Sequence, residues 1–92
     1  MKSDLLKIIN YYGVRHQLKK FAEEVYELQE AILESETFYN DSTGHIAEEI
    51  ADVMVMLGQF QNYYDIDDNT VRRIMIEKVD RQIERIINEN NR

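Results

Sequence analysis

The chain has 92 residues, a formal net charge of −7 and no cysteine, so it suits a single domain without disulfides or thiolate metal ligands. Its 18 acidic residues outnumber the 11 basic ones, the opposite of the balance expected in a nucleic-acid-binding protein. No apolar run approaches the roughly 20 residues of a membrane-spanning helix, and the N-terminus lacks a hydrophobic signal core. We therefore expect a cytoplasmic protein that binds neither nucleic acid nor membrane.

The composition also favours an all-α fold. The chain contains no proline and only three glycines, which favours long helices over strands and tight turns. We predict an antiparallel bundle of about four helices that forms one domain over residues 1–92. A monomer of this size buries only part of its apolar surface and tends to be marginally stable. Because no disulfide or thiolate site can stiffen it, oligomerisation is the expected source of additional buried area.

Hydrophobic periodicity predicts two helices in the first part of the chain. The first helix runs from a cap at Ser3 to about Tyr12, and Gly13 offers a break after it. The second helix runs from about Val14 to Glu36. Its apolar stripe, which is close to a heptad seam, consists of Leu18, Phe21, Val25, Leu28 and Ile32.

A third helix follows a predicted loop over Thr37–Gly44. It begins within Ser42–His45 and ends near Tyr64. From Val53 onwards this helix carries no charge, and a helix that is apolar nearly all round is normally central in its assembly. We expect it to be buried between helices from more than one subunit through Val53, Leu57 and Phe60.

The fourth predicted helix follows the turn at residues 65–70, is capped by Asn69 or Thr70, and runs to about Asn88. One flank of it is basic and carries Lys78, Arg81 and Arg85. This flank is either a solvated stripe or a phosphate clamp, since arginine binds phosphate as a fork and lysine as a point charge. The solvated stripe would pair with Glu77, Asp80 and Glu84.

Two pairs of carboxylates stand on the second and third helices, each with a spacing of three residues that makes its members neighbours on one face. They are Glu24 with Glu27 and Glu49 with Asp52. If the two helices pack antiparallel, as a short loop favours, the four carboxylates converge. Hard divalent cations prefer oxygen ligands, so such a cluster is a plausible Mg²⁺ site. The alternative that Glu49 and Asp52 only cap their helix and interact with its dipole stays open at this point.

The acidic residues also carry a family resemblance. The segment 17–28, with its Glu-Glu-x-x-Glu string, and the segment 48–53, with Glu-x-x-Asp, resemble the MazG-like branch of the all-α nucleoside triphosphate pyrophosphohydrolases. The tail Lys78-x-x-Arg81-x-x-x-Arg85 looks like the basic helix of the short members. The resemblance implies a nucleotide-pool housekeeping enzyme that attacks the α-phosphorus of an NTP or dNTP with water and releases the monophosphate and pyrophosphate. It also implies a homodimer or homotetramer whose sites combine helices of neighbouring subunits.

The same resemblance assigns roles to individual residues. The implied ligands of Mg²⁺, for which Mn²⁺ can substitute, are Glu24, Glu27, Glu49 and Asp52. Glu23 completes the catalytic set as the carboxylate that orients or deprotonates the attacking water. The implied phosphate-binding residues are Lys20, Lys78, Arg81 and Arg85.

Three other interpretations compete with this one. A phosphoribosyl-ATP pyrophosphohydrolase has a similar length and also carries Lys-x-x-Glu-Glu, but the many tyrosines and the basic tail of this chain favour the MazG-like branch. A non-catalytic helical interaction module would bind no metal tightly. A di-iron carboxylate bundle needs Glu-x-x-His pairs, and neither His16 nor His45 follows a glutamate by three residues.

Overall fold

The computed structural model describes residues 1–38 and 42–91, which form four α-helices and no strand. The helices are α1 (Lys2–Tyr12), α2 (Val14–Phe38), α3 (Thr43–Tyr63) and α4 (Asp68–Asn90). The predicted all-α class and the number of helices are therefore confirmed. Two of the helices end later than predicted, because α2 continues through Thr37 and Phe38 and α4 extends two residues beyond Asn88. The remainder of the predicted loop, residues 39–41, lies outside the described residues.

The predicted caps of α1 and α4 were wrong. Met1 is the N-cap of α1 and makes no side-chain hydrogen bond, so Ser3 already lies inside the helix. The N-cap of α4 is Asp67, whose side chain accepts a hydrogen bond from the backbone N–H of Asn69. A carboxylate at the N-cap satisfies an otherwise unpaired N–H of the first turn, which is why α4 begins before the predicted caps at Asn69 and Thr70.

Gly13 alone separates α1 from α2. Its backbone has φ 93° and ψ 150°, a combination that is essentially restricted to glycine. The N–H of Gly13 donates to the carbonyl of Ile9, and the carbonyl of Gly13 accepts from the N–H of Gln17, so the junction is held by both helices. This sharp change of direction folds α1 back beside α2 without a longer loop.

The central helix is α3, which packs against both α1 and α2. Helices α2 and α3 run antiparallel, because Gln17 near the start of α2 contacts Gln59 near the end of α3, whereas Glu24 further along α2 lies close to Glu49. The predicted central position of the nearly charge-free helix is confirmed, and so is the antiparallel pairing on which convergence of the carboxylates depended.

The core among these three helices is small. Its buried apolar residues are Ile9, Ala31 and Met56. Helix α1 approaches α3 closely at Gly58, where an added Cβ would lie 2.8 Å from Cδ1 of Leu5. A small residue at this position therefore allows the close packing of α1 on α3.

The packed face of α2 includes only part of the predicted apolar stripe. Phe21, Val25 and Leu28 are partly buried, and Phe21 packs edge-to-face on Phe60 of α3 with ring centroids 5.6 Å apart. Leu18 and Ile32 are 57 % and 43 % exposed, whereas Gln17 and Ala31 are buried. Helix α2 thus turns toward α3 the flank that also carries Glu24. Since α1 and α3 cover only one side of α2, part of its heptad-like stripe stays uncovered in a single chain.

Helix α4 stands apart, because it packs against none of the other three helices in the described part of the chain. Its beginning is linked to α3 by a hydrogen bond from the side-chain amide of Gln61 to the carboxylate of Asp68. The large apolar side chains that it exposes include Met75, Ile76, Val79, Ile83, Ile86 and Ile87. Within one chain, the bundle therefore consists of α1–α3 rather than of four helices.

No helix in the described ranges is both long and apolar enough to cross a membrane.

Candidate metal centre

Three carboxylates converge where α2 passes α3. Glu24 on α2 and Glu49 and Asp52 on α3 each place one carboxylate oxygen within 4.8 Å of the others. The side chains of Glu24 and Glu49 are only 13 % and 12 % exposed, while Asp52 is exposed. We call these three residues the carboxylate cluster. Three of the four predicted metal ligands thus lie together, and they come from the two predicted helices.

Two oxygens of the carboxylate cluster have no partner. Oε2 of Glu24 and Oε2 of Glu49 are buried and accept no hydrogen bond from the described residues. Each Oε1 lies beside a basic side chain, with Nζ of Lys20 3.5 Å from Glu24 and Nδ1 of His45 3.9 Å from Glu49. Buried acceptors without a partner cost free energy, and a cation bound between the two helices would supply a partner for both of them. An all-oxygen set of donors fits a hard divalent cation.

Glu27, the fourth predicted ligand, is exposed and lies next to the cluster rather than among its converging oxygens. The negative charge of Glu24 raises the pKa of Glu27 above its usual value, and partial desolvation and the charges of Glu49, Asp52 and Glu23 act in the same direction. The carboxylates of both α2 and α3 therefore repel the negative charge of Glu27, and a cation bound at the cluster would reduce this repulsion.

Two further predicted residues border the cluster on α2. Lys20 forms its ion pair with Glu24 and remains half exposed, so its ammonium group can also reach a ligand. Glu23 is exposed and shares a shallow surface depression with Lys20 and His16. The structure therefore places Glu23 on the solvent side of α2, next to Glu24 in sequence but outside the carboxylate cluster.

The basic flank of α4 is not brought to the cluster within one chain. Lys78, Arg81 and Arg85 are exposed on a helix that packs against neither α2 nor α3. They also form no ion pair with any described residue; Glu77 instead pairs with Arg73 at 3.2 Å. The predicted solvated pairing is therefore absent from these three residues, and their phosphate-binding role stays a prediction that requires another copy of the chain.

The sequence did not reveal two polar features near the cluster. His45 is an exposed residue in the first turn of α3, and its Nδ1 lies 3.9 Å from Glu49, which it precedes by four positions as Lys20 precedes Glu24. That shared spacing was the available signal. Gln17 and Gln59 are almost fully buried and hydrogen-bonded to each other at 2.8 Å, and their pairing depends on how two distant helices dock.

The family model of the MazG nucleotide pyrophosphohydrolase domain matches residues 14–86. The chain belongs to this family. The matched segment starts at the first residue of α2 and ends within α4, so it contains all the predicted site residues, whereas α1 lies outside it. No curated protein and no solved structure matches the chain.

Membership of the MazG family confirms the resemblance and favours this branch over a phosphoribosyl-ATP pyrophosphohydrolase. The family consists of nucleotide pyrophosphohydrolases, which are hydrolases that generally depend on a divalent metal. The carboxylate cluster provides a set of oxygen ligands suited to such a metal.

Proposed function

We propose that this MazG-family protein is a Mg²⁺-dependent nucleoside triphosphate pyrophosphohydrolase. It hydrolyses an NTP or a dNTP to the monophosphate and pyrophosphate, a reaction suited to nucleotide-pool housekeeping, and Mn²⁺ can replace Mg²⁺. The observation that carries the proposal is the convergence of Glu24, Glu49 and Asp52 within 4.8 Å in a chain of this family. The two buried oxygens without a partner support it further.

The metal ligands in this proposal are the carboxylate cluster and Glu27. A bound divalent cation would clamp phosphate oxygens, offset developing negative charge and lower the pKa of a water molecule. Lys20 partly neutralises Oε1 of Glu24, which leaves Oε2 as the oxygen for the cation. His45 has the same relation to Glu49, and Glu27, on the exposed side of α2, would be the fourth ligand.

The remaining residues act on water and phosphate. Glu23 orients the attacking water or accepts its proton, a role supported by its exposed position on α2 directly before Glu24. The water oxygen forms a bond to the α-phosphorus, and the bond between this phosphorus and the oxygen that bridges it to the β-phosphorus breaks. Its electron pair leaves with pyrophosphate. Lys20, beside the cluster, offsets part of the phosphate charge.

A second copy of the chain completes the phosphate site in this proposal. The apolar side chains of α4 have no partner in one chain, Leu18 and Leu57 are about half exposed, and a chain of this size has a small core. Packing these faces against another copy would give a homodimer or homotetramer. It would also allow Lys78, Arg81 and Arg85 from one subunit to approach the carboxylates of another.

Hydrolysis in ¹⁸O-labelled water tests the proposed reaction. The purified protein is incubated with Mg²⁺ and a panel of NTPs and dNTPs, and the products are analysed by mass spectrometry. We expect ¹⁸O in the nucleoside monophosphate and none in pyrophosphate. Label found only in pyrophosphate would place the attack at the β-phosphorus, and orthophosphate as the first product would indicate another class of phosphohydrolase. No product together with no Mg²⁺ binding would favour the non-catalytic interaction module.

A further inference from the structure

A cavity of about 350 Å³ opens beside the carboxylate cluster, between α1, α2 and α3. Glu24 and Asp52 of the cluster line it together with Lys20, so the cavity adjoins the proposed phosphate and metal site. Helix α1 contributes Ile8 and Tyr12 to its wall. This volume lies within the range of small-molecule binding sites, and its position leaves room for a part of the substrate beyond the phosphates.

The wall of this cavity includes a pair of aromatic rings. The phenol of Tyr12 on α1 and the imidazole of His16 on α2 are stacked with centroids 5.1 Å apart and an angle of 16° between their planes. Gly13, whose φ is positive, lies between the two residues at the junction of α1 and α2. Tyr12 remains 54 % exposed, so the stack does not bury its ring. Aromatic rings bind flat ligands by stacking, and every nucleobase can stack on them because each has a π-face.

The cavity also has a polar element. Gln17 and Gln59, which are 1 % and 2 % exposed, join their side-chain amides at 2.8 Å, and Nε2 of Gln59 donates to Sδ of Met56 at 3.6 Å. A primary amide carries two N–H donors, and within the described residues each of these amides uses only one. A thioether is moreover a weak acceptor. The buried pair therefore has spare donor capacity for a ligand that offers acceptors.

We propose that this cavity holds the nucleobase of the substrate, stacked on the Tyr12–His16 pair, with carbonyl oxygens or ring nitrogens of the base accepting from Gln17 and Gln59. This inference rests on the proposed nucleotide substrate and adds the residues that select the base. An apolar cavity with a few convergent polar groups has the composition of such a site. Helix α1, which lies outside the family match, thus contributes to specificity in this particular chain.

Binding measurements on the complete protein test this inference independently of hydrolysis. Isothermal calorimetry in Mg²⁺ buffer compares the common nucleoside 5′-monophosphates with ribose 5-phosphate, which lacks a base. We expect at least one nucleotide to bind about tenfold or more tightly than ribose 5-phosphate, the size of effect given by one base–aromatic stack. Tyr12→Leu should bring this ratio close to one and leave the affinity for ribose 5-phosphate unchanged. Tyr12→Phe, which keeps the ring, should retain the ratio.

The matched control is Tyr64→Leu, which removes a tyrosine of similar exposure from the end of α3, away from the cavity. It should not change the ratio, and circular dichroism should show equal helicity in all variants. The inference is overturned if no nucleotide binds more tightly than ribose 5-phosphate, or if Tyr12→Leu weakens both ligands by the same factor. Base-selective binding without pyrophosphate release from any triphosphate would instead refute the proposed reaction and leave the base site standing.

Discussion

Glu24 on α2 and Glu49 on α3 have the same arrangement of neighbours. Each carboxylate has one oxygen within 4 Å of a basic side chain four residues earlier. Its second oxygen is buried and has no hydrogen-bond partner among residues 1–38 and 42–91. An exposed ion pair contributes at most about 1 kcal/mol, so Lys20 and His45 do not offset the cost of burying two like charges close together. The arrangement therefore supports the proposed metal site, because a cation between the helices would offset the repulsion of the two carboxylates.

Replacement of Asp52 by asparagine should separate metal binding from folding. Asp52→Asn removes one negative charge from the carboxylate cluster, so the metal-free protein should become more stable while its Mg²⁺ affinity falls. Thermal unfolding with and without Mg²⁺ measures both effects, because a ligand that binds only the folded state raises the melting temperature by mass action.

Glu48→Gln is the matched control for this experiment, since Glu48 is exposed on the same helix and lies outside the cluster. It should leave the stabilisation by Mg²⁺ unchanged. A destabilised metal-free Asp52→Asn protein with an unaltered calorimetric Mg²⁺ affinity would show that Asp52 has a structural role instead.

Loss of a metal ligand should nearly abolish turnover. Glu49→Gln keeps the shape of the side chain but removes a charge at the reacting centre, and we expect kcat to fall by roughly a hundredfold or more. Glu34 is an exposed acid on α2, and Glu34→Gln should have a kcat close to that of the unaltered protein. Steady-state measurement of pyrophosphate release compares the two, and similar losses in both variants would contradict the assignment of Glu49 as a ligand.

The basic flank of α4 should act across subunits. Lys78→Ala should reduce activity less than Glu49→Gln, and the loss should be in KM if Lys78 binds phosphate equally in the ground and transition states. The double variant Lys78→Ala/Arg81→Ala should have little activity. Mixing this double variant with Glu49→Gln and allowing subunits to exchange should restore activity, because a mixed dimer contains one intact site. No recovery despite demonstrated exchange would place Lys78 and Arg81 outside the site.

The exposed apolar face of α4 should hold the oligomer together. Ile83 is 51 % exposed in the single chain, so Ile83→Asp would place a charge in the proposed interface and should dissociate the protein to monomers. Light scattering at micromolar concentration measures the mass. Gln82→Asp adds the same charge one position away and should leave the oligomer intact. A fully helical monomer before any substitution would refute the proposed assembly.

The junction at Gly13 should tolerate no side chain. Gly13→Ala forces a residue with a Cβ into φ 93° and ψ 150°, at a cost of about 1–3 kcal/mol. Urea unfolding should show this loss as a lower midpoint with an unchanged m-value. Gly44→Ala is the control, since Gly44 lies in the first turn of α3 with no atom within 4 Å of the added Cβ. An equal effect of both substitutions would show that backbone strain at Gly13 is not the cause.

Much of this fold follows from local rules. Apolar periodicity, the absence of proline and the break at Gly13 predicted four helices with ends that are mostly within two residues of those observed. Helix geometry places residues three apart on one face, so Glu49 and Asp52 had to be neighbours once α3 formed. The low charge of α3 likewise predicted its central position. Each of these features depends on residues close together in the chain.

The remaining features depend on how the helices dock. The predicted stripe of α2 from Leu18 to Ile32 is packed only in its middle, where Phe21 contacts Phe60. The structure leaves both ends of the stripe exposed, buries Gln17 and Ala31 and brings Glu24 to the cluster. It also joins Gln17 to Gln59 and leaves α4 without a partner in one chain. The rotation of one helix against another is set by the sum of many weak contacts between residues far apart in sequence. The periodicity of a single helix holds no information about these contacts. The convergence of carboxylates from two helices could therefore be predicted, but the rotation of each helix could not.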